Sequence, residues 1–185
     1  MKNGKLIVIS GASGVGKGTV LSLMMQKRDD LFFSVSATTR APRPGEVDGK
    51  HYFFISKECF EEMIKNNEFL EYDAHAANYY GTLRGQAEAK QKKGHVLLDI
   101  EPKGAAQVRK SAPDATLIFI MPPSVEELER RLRGRGDTSE DQIAMRMERA
   151  IWEMEQRTWY DYVVVNDDAQ RCADEILTII SNLEN

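Results

Sequence analysis

The chain has 185 residues, 42% of them hydrophobic, with 25 lysines and arginines against 29 aspartates and glutamates, a net charge of -4. That predicts one domain, or one domain with small appended lobes, with a sizeable core, and argues against disorder. The acidic balance excludes a bulk-basic nucleic-acid binder, but not a small polyanion, because a site needs local charge rather than net charge.

Leu6 to Ser10 (LIVIS) is a short apolar run ending at a glycine, as a buried parallel strand would be. A glycine-rich loop and a helical stretch from Val20 follow. From about Phe33 to Tyr80 the chain turns rich in Tyr, Phe, Ser and Thr, and His51 to Ile55 alternates. This reads as a small, mostly β insertion with one helix near Phe60 to Asn66. Val96 to Ile100, Leu117 to Met121 and Tyr162 to Val165 read as further buried strands. Ser124 to Glu127 and Ser139 to Gln142 have capping-box spacing, so each predicts a helix start. In the second helix Ile143, Met147, Ile151 and Met154 recur at helical intervals, which predicts core packing. A last helix is expected over about Ala169 to Leu183. Alternating elements of this kind predict an α/β fold, a parallel sheet flanked by helices.

Cys59 and Cys172 lie far apart without CxxC spacing, which predicts ordinary thiols in a reducing compartment. No window approaches the roughly 20 apolar residues that span a bilayer. The first residues lack a signal-peptide apolar region. The expectation is a soluble, cytoplasmic protein without membrane or nucleic-acid partners.

The strongest local signal is Gly11-Ala12-Ser13-Gly14-Val15-Gly16-Lys17-Gly18-Thr19. Converging backbone N–H groups can cradle a phosphate chain, and glycines allow the dihedrals this needs. The following helix presents its positive end, and Lys17 supplies a movable cation. Strand, loop, lysine and helix occur in the right order for a nucleoside triphosphate site. Gly18 stands where a Ser or Thr usually ligates magnesium, and Thr19 comes one place later. The Gly-Lys-Gly-Thr ending resembles that of adenylate-kinase-type enzymes. Magnesium is therefore expected with ATP, held mainly through phosphates and water, and no protein ligand is assigned.

A second motif runs from Ser34 to Glu46. Arg40 and Arg43, stiffened by Pro42 and Pro44, can hold a second phosphate through bidentate bonds. Ordinary solvated arginines are the other reading. Here the chain strongly resembles guanylate kinases. The resemblance rests on Ser34-Val-Ser36-Ala-Thr-Thr-Arg40-Ala-Pro-Arg43-Pro-Gly-Glu46, Asp48 to Phe54, Asn66 to Glu71 and Asn78 to Thr82. Leu97 to Glu101, Pro122 to Glu127, Arg131 to Gly136 and Val165 to Asp167 continue it along the whole chain.

The resemblance implies a nucleoside monophosphate kinase that transfers the γ-phosphoryl group of ATP to GMP or dGMP. It implies a core over 1-32, 83-129 and 147-185, a GMP-binding lobe over about 33-82 and a lid over about 130-146. By position Arg40, Arg43, Tyr52 and Tyr80 would hold the GMP phosphate, and Ser36, Glu71 and Thr82 would read the base. Guanine offers N1–H and a 2-amino group to one carboxylate, whereas adenine would leave Glu71 unpaired. Asp99 ends an apolar strand, where ligands sit in open parallel sheets. Its family position is between the substrates. Glu101 stands where the family usually has aspartate, which leaves its role in GMP binding open. Arg131, Arg135 and Arg146 match arginines that close over the ATP phosphates. Asn166 and Asp167 match the adenine-side contacts. Arg130, Arg133 and Arg149 are expected to be helix-surface charges paired with glutamates.

Two rival readings are a non-catalytic guanylate-kinase-like interaction module and a phosphate-loop kinase for another acceptor. The first is disfavoured by the presence of Lys17, Arg40, Arg43 and Asp99, and by the lack of adjoining interaction domains in this chain. The second is disfavoured by Ser36, Glu71 and Thr82 together. The assembly state, homo-oligomer or monomer, is not legible.

Overall fold

A computed structural model describes residues 3–75, 77–134 and 139–184. In chain order its elements are β1 (Leu6–Gly11), α1 (Lys17–Lys27), β2 (Leu31–Phe33), β3 (Ser36–Thr38), β4 (Phe53–Phe54), α2 (Lys57–Lys65), β5 (Phe69–His75), β6 (Asn78–Leu83) and α3 (Arg84–Gln91), then β7 (His95–Asp99), α4 (Pro102–Ser111), β8 (Thr116–Met121), α5 (Val125–Arg133), α6 (Glu140–Glu155), a 3-10 turn (Gln156–Trp159), β9 (Tyr162–Val165) and α7 (Ala169–Asn182). They form two compact units, residues 1–8 with 30–116 and residues 9–29 with 117–185. The expected lobe of about 33–82 lies within the first unit, which also takes in α3, β7 and α4.

The central sheet is parallel, in the order β2-β7-β1-β8-β9, and helices flank it. Every residue of β1 is buried, as are the first four of β7 and the middle four of β8. Near-continuous apolar runs are what a parallel sheet covered on both faces requires. Leu31 pairs with His95 and Phe33 with Leu97 in one register, and Ile118 with Tyr162 through Met121 with Val165 in another. β9 is an edge strand in which only Val164 is buried.

The second sheet lies wholly in the first unit, in the order β4-β3-β6-β5. Its core is Ala37, Phe60 and Phe69, with Phe53, Ile55, Met63, Ile64, Tyr79 and Leu83 packed around it. The Phe60 ring stacks on Phe69 at 4.2 Å and on Tyr79 at 5.1 Å. Phe60→Ala should therefore cost about 3–5 kcal/mol, read by denaturant unfolding. A loss under about 1 kcal/mol would show that the lobe repacks without the ring.

The expected strands and helices are all present, with shifted ends. α2 begins at Lys57 rather than Phe60, because Ser56 Oγ accepts the Cys59 N–H at 3.1 Å and so fixes the start. Ser124 caps α5 by accepting from Glu127 N–H, and Ser139 with Gln142 forms a complete capping box on α6. Two expectations fail. The run 162–165, read as a buried strand, has only Val164 buried, because β9 lies at the sheet edge. Ile151 is 44% exposed, so the stripe of α6 is not all core. The buried face runs instead through Ile143, Ala150, Glu153 and Met154. A period of 3.6 admits either set, and the inner face takes Ala150 rather than Ile151. Among the described residues, no helix is long and apolar enough to cross a membrane.

Candidate active site

The glycine-rich loop in the second unit is shaped by its neighbours there. Gly14 and Gly16 have φ of 88° and 93°, a region that L side chains avoid. Space is lacking too, since a Cβ at Gly14 would lie 2.6 Å from Leu132 Cδ2 and one at Gly16 2.9 Å from Asn166 Nδ2. The loop leads into α1 at Lys17, whose N-terminus has no side-chain cap and no acid in its first turn. Thr19 and Val20 N–H donate to the Gly16 carbonyl at 3.1 and 3.3 Å, and the helix dipole favours an anion at this end. A Cβ at Gly18 would meet nothing within 4 Å.

Three side chains hold the loop. Asn166 is 4% exposed and donates from Nδ2 to the Val15 carbonyl at 2.7 Å. Arg131 donates to the same carbonyl at 3.1 Å, to the Asn166 carbonyl at 3.0 Å and to Glu127 Oε1 at 2.8 Å. Ser13 N–H donates to Glu153 Oε2 at 2.8 Å, and Glu153 is only 3% exposed. Arg149 pairs with that carboxylate at 3.1 Å. Glu153 escaped the sequence reading because a charged residue on an amphipathic helix reads as surface; its only signal was the (i, i+4) spacing from Arg149.

Asn166→Ala should raise the KM for ATP severalfold and leave that for GMP unchanged, because it removes one donor from the loop's Val15 carbonyl. Its stability cost should be about 1–2 kcal/mol. Equal changes in both Michaelis constants would assign Asn166 a general structural role.

Other expected residues of this unit are placed less directly. The Asp167 carboxylate accepts from Arg171 and from the Asp168 N–H at the start of α7. That pairing lowers its pKa. Arg146 is exposed on α6, and Arg135 lies outside the described residues. Arg130 pairs with Glu127, and Arg133 with Glu129 and Glu140, as expected of surface charges.

The first unit carries the other group. Ser36 on β3 pairs with Thr82 on β6, and Thr82 pairs with Glu71 on β5. Residues directly opposite in antiparallel strands share a face, so the three side chains form one row across three strands. Thr82 Oγ1–H donates to Glu71 Oε1 at 2.5 Å. Glu71 is 7% exposed, and burial raises its pKa above the usual carboxylate range, against the hydrogen bonds from Thr82; Asp73 and Glu101 add to the rise.

Two residues along, Thr38 pairs with Tyr80, so a second row lies on the same face. Thr38 Oγ1 accepts from Arg40 N–H at 3.2 Å and fixes where the arginine loop leaves β3. The Arg40 guanidinium lies 5.5 Å from the Tyr52 ring centre, and the Tyr52 and Tyr80 rings meet edge to face at 6.0 Å. Arg40 Nη1 and Nη2 donate to the two oxygens of Glu46, each at 2.9 Å, and Arg43 N–H donates to Glu46 at 2.7 Å. These bonds hold the Glu46 carboxyl down to about 2 and raise the Arg40 pKa. Glu46 stood inside the quoted motif without a role; it orients the arginine loop. Arg43 itself is exposed. Asp99 closes β7 and is exposed at its end, and Glu101 is the residue before α4.

The fold defines the class first: a mixed α/β protein whose central parallel sheet is flanked by helices, with a glycine loop between β1 and α1. The guanylate kinase family model matches residues 3–183. The chain is 51% identical over 175 residues to the guanylate kinase of Trichormus variabilis, covering 94% of this chain and 88% of that one. It is 51% identical over 181 residues to that of Streptococcus thermophilus, covering 97% and 87%. A crystal structure of guanylate kinase from Anaplasma phagocytophilum superposes with a TM-score of 0.74 at 34% identity, covering 98% of this chain and 86% of that one. The chain belongs to the guanylate kinase family.

Proposed function

We propose that this chain transfers the γ-phosphoryl group of ATP to GMP or dGMP, giving ADP and GDP or dGDP, and that it does so in the cytoplasm as a step of purine nucleotide metabolism. The observation that carries the reading is the row Ser36, Thr82 and Glu71, with a carboxylate 7% exposed at its end. A buried acid is costly unless something pairs with it, and guanine's N1–H and 2-amino group pair with both of its oxygens. Arg40, Arg43, Tyr52 and Tyr80 hold the GMP phosphate beside it.

In the same reading Gly11, Ala12, Ser13, Gly14, Val15, Gly16, Lys17, Gly18 and Thr19 cradle the ATP phosphates. Arg131, Arg135 and Arg146 neutralise charge that spreads over the transferring group, and Asn166 and Asp167 face the adenine. Residues about 33–82 act as the GMP lobe, about 130–146 as the lid, and the rest as the core. Phosphoryl transfer needs in-line placement and charge neutralisation more than a covalent nucleophile, which suits a site of arginines, one lysine and backbone amides. Exclusion of water keeps ATP from being hydrolysed instead.

Magnesium would be held mainly through nucleotide phosphates and water, a donor set of hard oxygen that suits the ion, with no protein ligand assigned. Position 18 carries no hydroxyl and faces open space, which leaves room for the ion's water. When bound, the ion screens the phosphate charge and fixes the geometry of the ATP tail.

The test is an ADP-release assay with ATP and each of GMP, dGMP, AMP, UMP and CMP. GMP and dGMP are expected to support turnover at least about 100-fold better than the others in kcat/KM. Turnover with AMP and none with GMP would sink the base reading. Calorimetry showing no binding of ATP or GMP would favour a non-catalytic interaction module.

A further inference from the structure

Glu71 sits in a strand with an open edge. β5 is the outer strand of its sheet, and its pairing with β6 slips between Phe69 and Glu71. Leu70 is the extra residue of that bulge. A bulge breaks the ladder locally and re-aims the side chains beside it.

Helix α4 meets the backbone groups that the bulge and the edge expose. The Gln107 carboxamide accepts Tyr72 N–H at 3.1 Å and donates to the Tyr72 carbonyl at 2.8 Å. A neighbouring strand's peptide would make the same pair of bonds. Ser111 Oγ–H donates to the Leu70 carbonyl at 2.6 Å. These two side chains, four residues apart, therefore grip the residue on either side of Glu71.

Gly104 completes the stripe, since residues 104, 107 and 111 share one face of α4. A Cβ at 104 would lie 2.8 Å from Glu71 Oε2 and 3.3 Å from its Cδ. Gly104 is buried within a helix, where glycine costs roughly 1 kcal/mol against alanine. The close approach of the carboxylate accounts for it.

We propose that Gly104 and Gln107 are positioning residues for base selection: α4 sets the place of the Glu71 carboxylate, and through it the preference for a purine bearing a 2-amino group. This rests on the reading of Glu71 as the guanine acceptor. Both oxygens of the carboxylate must be placed at once, one for N1–H and one for the amino group. Thr82 already fixes Oε1, so a shift of Oε2 alone tilts the group and weakens one of the two bonds. Inosine monophosphate keeps N1–H and lacks the amino group, so it reports that tilt directly.

The experiment compares Gly104→Ala and Gln107→Ala with the wild type in initial rates with GMP, IMP and ATP, together with thermal unfolding. Alanine is the best helix former, and position 107 is half-buried, so the second variant keeps the fold even if the first does not. Each folded variant is expected to raise the GMP KM about tenfold, lower the GMP-to-IMP ratio of kcat/KM about fivefold and hold the ATP KM within about twofold. A merely structural role would lower the melting temperature and reduce rates with both nucleotides equally. An unchanged GMP-to-IMP ratio in the folded variants would overturn the proposal while leaving the GMP reading intact. A wild type that does not prefer GMP to IMP would overturn the GMP reading itself, and this proposal with it.

Discussion

Lys17→Ala should lower kcat by at least 10²–10³-fold, on the order reported for removal of one pre-placed charge or donor. The residue is the first of α1, and its helix is anchored by Val20, Leu21 and Met24, all buried. Loss of the Lys17 side chain leaves that anchor intact, so the melting temperature should change little. The KM for GMP should hold, because the residues proposed to hold that nucleotide lie in the other unit. The loss should fall on turnover because the charge Lys17 balances grows as the phosphoryl group moves. Turnover within about tenfold of the wild type would remove Lys17 from the mechanism.

Glu71→Gln should raise the GMP KM by about 100-fold or more and leave the ATP KM within about twofold. The amide keeps the size of the carboxyl and one acceptor, but turns an NH₂ group toward a base that offers two donors. Equal effects on both substrates would count against Glu71 as the base reader. The variant also has a pH signature. Burial raises the Glu71 pKa, so in the free protein the carboxyl takes up its proton at a higher pH than an ordinary glutamate. Protonation removes an acceptor that guanine needs, so the GMP KM should rise as pH falls through that raised value. The rise should be absent in Glu71→Gln. Stability should show the opposite trend. A raised folded-state pKa means that the native state binds more protons, so this group's contribution is lost as pH climbs from the ordinary carboxylate range through the raised value.

Much of this was legible in the sequence, and for identifiable reasons. Buried parallel strands are near-continuous apolar runs, so β1, β7 and β8 announced themselves. Ser124 and Ser139 marked helix starts because their spacing to Glu127 and Gln142 is a local chemical requirement. The glycine loop could be read because the positive φ at Gly14 and Gly16 restricts which residues fit. The membership of Ser36, Glu71 and Thr82 in one group came from resemblance. Their alignment across β3, β6 and β5 is a fact of register that no local pattern encodes.

The features that escaped are those created by tertiary pairing. The bulge at Leu70 depends on how β5 meets β6, and Gln107 gains its role only when α4 lies along the β5 edge. Glu46 and Arg40, six residues apart, pair because the loop folds back on itself. Glu153 is buried on a helix whose charge pattern reads as solvated. Ile151 was placed inward by periodicity, although the inner face falls one residue earlier, at Ala150.

The most direct measurement follows the phosphoryl group itself. Wild-type protein with ATP labelled at the γ-phosphate, GMP and magnesium would be monitored by product analysis, with AMP in place of GMP as the parallel reaction. Label is expected in the β-phosphate of GDP, in step with ADP release, and none in free phosphate above background. Label appearing as free phosphate, or passing to AMP in preference to GMP, would contradict transfer to the phosphate of a nucleotide whose base Glu71 selects.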